Sequence, residues 1–196
     1  MSGFAVIAPG DIGLSGWIII LVLVACVLYA VAIYNRLVTQ RNRVRNAWSQ
    51  IDVQLRRRHD LVPNLVESVK GYMAHERGVI DAIVDARKQA MAAGPDVAAR
   101  ADAENALGRS LRSLFTLVEA IPQLRASENV ASLQEELGST ENRIAFARQH
   151  YNDSVMQYNT ALETVPSNVV AGIFGFKPEA LYTIEEPERQ PVAVKF

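Results

Sequence analysis

The sequence predicts an all-α protein: one N-terminal transmembrane helix followed by an up-and-down antiparallel helical bundle, most simply of four helices. Three observations carry this. A charge-free apolar run lies near the N-terminus, long stripes of apolar residues recur at alternating spacings of four and three, and the strict alternation of a half-buried strand is absent. At 196 residues, 49% apolar and with a formal net charge of -1, the chain is neither disordered nor globally basic by composition.

The run LSGWIIILVLVACVLYAVAI, residues 14–33, has the length that a helix needs to cross hydrocarbon, about 20 residues. Trp17 stands near one edge and Tyr29 and Tyr34 near the other, where amphipathic rings prefer the headgroup level. Ala30-Val31-Ala32 has the form of a signal-peptidase site, but residues 1–13 contain no Lys or Arg and the run exceeds a normal signal core, which favours a retained anchor. Arg36, Arg41, Arg43 and Arg45 follow the span, so positive charge predicts the N-terminus outside and the bundle in the cytoplasm. Four segments result: a short extracytoplasmic N-terminus (1–13), the span (14–33), a cytoplasmic bundle (34–165), and a short apolar segment with an extended tail (166–196). Cys26, the single cysteine, lies inside the span and reads as an inert packing residue.

Within the bundle the first stripe runs Leu37, Arg41, Val44, Trp48, Ile51, Leu55, Arg58, Val62, Leu65, Val69, Tyr72, Glu76, Val79, Ile83, Ala86 and Ala90. That is the heptad pattern of a helix packed lengthwise on others. A second stripe joins Leu107, Leu111, Leu114, Val118 and Ile121. A third joins Leu133, Leu137, Thr140, Ile144, Ala147, Tyr151, Ser154, Tyr158, Ala161 and Val165, with more small and polar members. Asp96 after Gly94-Pro95 and Ser127 after Pro122 are the expected N-caps of the second and third stripes.

The first stripe contains a conflict. Arg56, Arg57, Arg58 and His59 suit a helix C-terminus, Asp60 an N-cap and Pro63 a first turn, yet the heptad register passes Pro63 without a slip, as in one long kinked helix. Helices over 34–59, 61–91, 96–121 and 128–165 would measure roughly 39, 46, 39 and 57 Å, a workable antiparallel set, whereas one helix over 34–91 would reach roughly 87 Å. Length favours a break at Asp60.

The blocks YNRLVTQRNRVRNAWSQIDVQLRRRHDLVPNLVESVKGY (34–72), TENRIAFARQHYNDSVMQYN (140–159) and the tail GFKPEALYTIEEPE from Gly175 resemble the LemA family over nearly the whole chain. The resemblance implies an N-terminal anchor in a bacterial cell membrane, a short outside N-terminus and a cytoplasmic bundle of four helices. It carries over no catalytic residue.

The residues themselves point away from chemistry. No histidine has a glutamate three positions before it, which removes the di-iron helix motif, and His75-Glu76 lacks the second histidine of a zincin because position 79 is Val79. There is no nucleophile elbow and no glycine-rich phosphate loop. No enzyme activity, cofactor or metal is expected. Adjacent carboxylates such as Glu135-Glu136 and Glu185-Glu186 read as solvated faces.

Charge is segregated along the chain. Residues 34–59 hold seven arginines against Asp52, while 127–165 hold six acids against Arg143 and Arg148. Near-neutral overall charge disfavours nucleic acid. Arg36, Arg41, Arg43 and Arg45 are candidates for contact with anionic lipid. Arg56, Arg57 and Arg58 stand too far along an upright helix, about 33 to 36 Å, and are expected instead to pair with Glu135, Glu136 and Glu141 across the interface with the last helix. A swap of Arg58 and Glu141 is then expected to restore stability lost in either single charge reversal. Asn64 and Asn142 are candidate buried register-setting residues or exposed caps. The segment NVVAGIFGF, 168–176, is expected to pack over the open end of the bundle, the alternative being to dip into headgroups. Val194-Lys195-Phe196 offers a terminal carboxylate to a recognition domain. The reading that results is a membrane-anchored scaffold or adaptor that self-associates through unfilled heptad positions and holds a membrane-protein partner. The alternative is a membrane-remodelling or membrane-stress factor that binds anionic lipid.

Overall fold

The computed structural model describes residues 14–73 and 76–183. The described residues form six helices and no strand: α1 (Leu14–Lys70), α2 (Arg77–Ala92), α3 (Val97–Ala120), the single turn α4 (Pro122–Arg125), α5 (Glu128–Glu163) and α6 (Ser167–Phe174). His75, the C-terminal Val194-Lys195-Phe196 and the N-terminal segment 1–13 lie outside the described residues.

The expected break at Asp60 is overturned. α1 is one helix of 57 residues that carries Pro63 in its interior and emerges from the apolar run straight into the bundle. At about 1.5 Å per residue it is roughly 86 Å long. Proline removes the N–H that would bond the carbonyl four residues earlier, here that of His59. Arg87 of α2 supplies the missing donor: its Nε donates to the His59 carbonyl at 2.8 Å. The side chain of a neighbouring helix thus repairs the ladder where the sequence signals a stop. The chain turns instead after Lys70, at Gly71 and Tyr72, and the register resumes in α2 with Ile83, Ala86 and Ala90 buried.

The length argument holds in that no helix spans 34–91, but the stop falls after Lys70 rather than at Asp60. α5 runs back along the whole part of α1 beyond the apolar run, sharing the core of Val62 and Leu65 through Val130 and Leu137 and the core of Val44 and Ile51 through Tyr151 and Tyr158, and the α2–α3 hairpin packs beside both. Beyond the charged layer described below lies an apolar core of Val62, Leu65, Val69, Ile83, Leu107, Leu111, Leu114, Val118, Leu124 and Leu137. Toward the membrane lies a second core of Val44, Ala47, Ile51, Leu55, Ala101, Ile144, Tyr151, Val155 and Tyr158, closed by Tyr182 from the tail. A third, small cluster joins Leu37 to Val170 and Ala171 of α6. The stripes are therefore largely filled within one chain, which corrects the expectation of unfilled heptad positions. Among the large apolar side chains left exposed are Val53 of α1 and Phe146 of α5, both off the stripes.

Caps follow the sequence in part. The Asp96 carboxylate accepts from the Ala99 N–H at 2.8 Å, as its type predicts. Ser127 occupies the cap position of α5, but its hydroxyl makes no capping bond. Asn64 and Asn142 are both exposed, so neither sets register from the core. Cys26 is exposed on α1. From Trp17 to Val31 the long apolar side chains face outward, as a span bathed in lipid requires.

Candidate functional site

Between the two large cores α1 places two buried polar residues in succession, Arg58 and His59, and α3 answers with Glu104. Arg58 is 1% exposed and Glu104 is fully buried. One Glu104 oxygen receives the Arg58 guanidinium, whose Nη2 also donates to the Glu104 carbonyl at 3.2 Å. The other oxygen stands 2.9 Å from His59 Nε2, an electrostatic contact rather than an aligned hydrogen bond. Arg58 Nη1 reaches Glu141 of α5 at 2.8 Å. One guanidinium thus ties three helices together. Burial pushes the Glu104 carboxyl up, but the His59 ring and the Arg58 charge outweigh it and hold the group below its ordinary value.

The arginine cluster divides. Arg58 meets Glu141 as described, and Arg57 stands 3.6 Å from Glu136, with both side chains about half exposed. Arg56 turns away from α5 and pairs with Asp52 one turn earlier on its own helix, at 2.6 Å. Glu135 is exposed and is in none of the ion pairs among the described residues. Sequence reasoning missed Glu104, because an acid on α3 flanked by Ala103 and Asn105 gives no sign of its depth. Its spacing of three before Leu107 does place it on the apolar face of that helix, and that signal was legible.

Asp52 also binds Arg100 of α3, and the Arg100 guanidinium lies over the Trp48 ring, 5.5 Å from its centroid. Trp48 in turn meets Tyr151 at 5.4 Å and Tyr182 at 6.2 Å. Arg148 sits over Tyr182 at 4.8 Å. The second core is thereby capped by three rings flanked by two guanidinium groups.

Tyr182 is brought there by a clamp. Asn152 and Asn159, seven residues apart on one face of α5, each use their side-chain amide twice. Asn159 accepts from the Glu179 N–H at 3.0 Å and donates to the Glu179 carbonyl at 2.9 Å. Asn152 does the same with Tyr182, at 2.8 and 3.1 Å. Between them Tyr151 donates its hydroxyl to the Ala180 carbonyl at 2.8 Å. Burial and the Glu179 charge push that phenol up to about 12, so it remains a donor at neutral pH. The extended tail is held as a bound peptide would be, by its backbone.

Near the membrane, Arg36, Arg43 and Arg45 are exposed. Arg41 differs, because its guanidinium covers the Phe176 ring at 5.1 Å. Among the described residues no cluster of three or more metal-binding side chains occurs. The buried layer presents charge enclosed by packing, an arrangement that fixes helices relative to one another.

A family model described as the LemA family matches residues 47–196. The magnetosome protein MamQ of Magnetospirillum gryphiswaldense is 26% identical, over 86% of this chain and 71% of its own length. MamQ 2 of Paramagnetospirillum magneticum is 27% identical over 79% of this chain and 65% of its length. Protein LemA of Metamycoplasma hominis is 23% identical, covering 81% and 72%. The chain thus spans about two thirds of the length of the magnetosome relatives. The match to the family model takes in the whole buried layer, Arg58 and His59 on α1, Glu104 on α3 and Glu141 on α5, together with the clamped tail, and the chain belongs to the LemA family.

Proposed function

We propose that this protein is a membrane-anchored helical scaffold that holds a membrane-protein partner, and copies of itself, at a fixed height above the cytoplasmic face. One observation carries the reading: α1 continues without interruption from the apolar run into the distal core. From Ile33 to Lys70 the helix rises about 55 Å, and no hinge interrupts it. A tethered enzyme or a loosely recruited adaptor has no need of such a stiff column. The four arginines after the span support a bundle on the cytoplasmic side.

Self-association is supported by a groove of about 580 Å³ on the side of the α1–α5 pair away from α3, lined by Val53, Phe146 and Ala147 with Gln50, Arg143 and His150 around them. Phe146 is 72% exposed there. The test is a flexible Gly-Ser insertion between Tyr34 and Asn35, together with Phe146→Asp, each followed by crosslinking in intact membranes. The insertion should leave the bundle folded but scramble its membrane neighbours, and Phe146→Asp should remove the homo-oligomer band. Unchanged neighbours after the insertion refute a height-setting role; a chain that is monomeric in native membranes refutes self-association.

A second reading, binding of anionic lipid in membrane remodelling, is favoured by the exposure of Arg36, Arg43 and Arg45 beside the span. Vesicle binding that collapses at high salt and in a triple Arg→Gln variant would support it over the scaffold.

A further inference from the structure

α6 carries no charge in its eight residues, SNVVAGIF. One face is spent on the chain itself: Val170 and Ala171 are buried with Leu37. The other is bare. Val169, Ile173 and Phe174 are 59%, 74% and 60% exposed, and Val165, in the turn that precedes α6, is 75% exposed. Four large apolar side chains left exposed within ten residues are more than a water-facing surface ordinarily presents so close together.

Position in the fold says what covers it. α6 and Phe176 pack against Ala30, Ile33, Tyr34 and Leu37, the last turn of the apolar run and the first turn beyond it. The Tyr34 ring holds Phe174 at 4.8 Å and Phe176 at 5.7 Å, which pins α6 at that level. With residues 14–33 filling the hydrocarbon, about 30 Å thick, Ile33 marks its boundary and α6 lies beside that boundary. Gly175, at φ 67°, ends α6 in the left-handed conformation and turns the chain away toward the Asn clamp. On the neighbouring side a groove of about 610 Å³ runs between α1 and the end of α5, from Tyr29 and Ile33 to Arg36 and Gln40, with Val165 on its wall. Its lining passes from apolar to cationic in the direction that a phospholipid passes from acyl chain to phosphate.

We infer that the α6 end of the bundle is a second membrane contact, resting on the reading of residues 14–33 as the span. Val165, Val169, Ile173 and Phe174 enter the acyl–headgroup boundary, and Arg36 receives the phosphate of a phospholipid seated in the adjoining groove. The bundle is then fastened to the bilayer at two points, and α1 cannot pivot about its exit from the membrane.

The test uses the full chain with Cys26→Ser and one cysteine, at Ile173, Asp153 or Val27, carrying an environment-sensitive fluorophore. Each is reconstituted into phosphatidylcholine vesicles with and without brominated acyl chains. The Ile173 probe is expected to emit at short wavelength and to be quenched by bromine severalfold more than the Asp153 probe, at low and high salt alike. Quenching at Val27 with none at Ile173 overturns the second contact and leaves the anchor standing; no quenching at either overturns both. A blue-shifted Ile173 probe that bromine does not reach, with crosslinks between copies, assigns these side chains to a second chain and overturns the lipid contact. Far-UV circular dichroism of each labelled chain ensures that a change reports position and not unfolding.

Discussion

Replacing Arg58 tests how the buried layer works, and the structure reverses what the sequence suggests. Read as a simple Arg58–Glu141 pair, the site predicts that Arg58→Glu with Glu141→Arg recovers the stability lost in each single variant. With Glu104 fully buried against the same guanidinium, the swap instead sets a new carboxylate at position 58 against the Glu104 carboxylate. Like charges then face each other out of water while the new arginine at 141 sits on the half-exposed side of the layer. Removing one partner of a buried pair costs about 3 to 5 kcal/mol, so Arg58→Met, which strands Glu104, should lose about that amount. The half-exposed Glu141 contact is in the class of about 0 to 1 kcal/mol. Glu141→Gln should therefore be mild, and the swap should be at least as unstable as Arg58→Met.

The neutral double replacement runs the other way. Arg58→Met with Glu104→Leu removes both charges and fills the layer with apolar volume, and such replacements are often neutral or stabilising by about 1 to 4 kcal/mol. Denaturant unfolding of the full chain in detergent, followed by Trp48 fluorescence in a Trp17→Phe background, measures all of these. Recovery of stability by the charge swap, or a loss in the neutral double variant as large as in Arg58→Met, would refute the account given for Glu104.

Three further outcomes follow from the same geometry. Arg87→Met leaves the His59 carbonyl without a donor, costing about 1 to 3 kcal/mol; in a Pro63→Ala background the helix supplies its own N–H, so the same substitution should cost much less, and equal costs in both backgrounds would sink the repair mechanism. Because the Glu104 carboxyl is held below its ordinary value, its contribution is complete above the unfolded value of about 4.3 and is lost as pH falls through the lower folded value; acid unfolding below that point should be shallower in Glu104→Gln, and an identical pH profile would contradict it. Asn152→Ala with Asn159→Ala removes four backbone bonds from the tail, and hydrogen exchange at 179–182 should accelerate while α2 and α3 stay protected; unchanged exchange would mean that Tyr182 alone holds the segment.

What the sequence revealed and what it hid divide along physical lines. The stripes were legible because burial leaves a periodic trace, and Leu37, Val44, Ile51, Leu55, Val62 and Leu65 are all buried as their spacing requires. α3 and α5 end within two residues of the expected bounds, since Pro122, Asp96 and Pro166 act locally. The break at Asp60 was misread because the group that keeps α1 intact is Arg87, 24 residues beyond Pro63, and a single-helix signal cannot report a donor arriving from another helix. Arg57 with Glu136 and Arg58 with Glu141 were reachable from charge segregation and antiparallel height. Glu104 was overlooked although its spacing before Leu107 was legible, because charge counts treat an acid as solvent-facing unless its neighbours on the helix face are read too. The Asn152 and Asn159 clamp was hidden for a related reason: backbone recognition leaves no pattern in the residues recognised.

The buried layer also bears on how a stiff column keeps its height. Two helices zipped by a heptad stripe can slide by one repeat, about 10 Å, and still cover apolar surface. Such a slide would move the whole head relative to the bilayer. Arg58 prevents it, since its partners on α3 and α5 exist at one level only, and a displaced layer would bury charges without partners. The neutral variant Arg58→Met with Glu104→Leu should thus be stable yet less exact in register. With Cys26→Ser, cysteines replacing Val53 and Ala147, which line one groove between α1 and α5 in the native register, report that register; cysteines replacing Val53 and Ser154, one heptad further along α5, report a one-repeat slip. The native layer should give only the first disulfide, and the neutral variant should give both. If the neutral variant gives the first alone, apolar packing suffices to set the register, and the buried charges need another explanation.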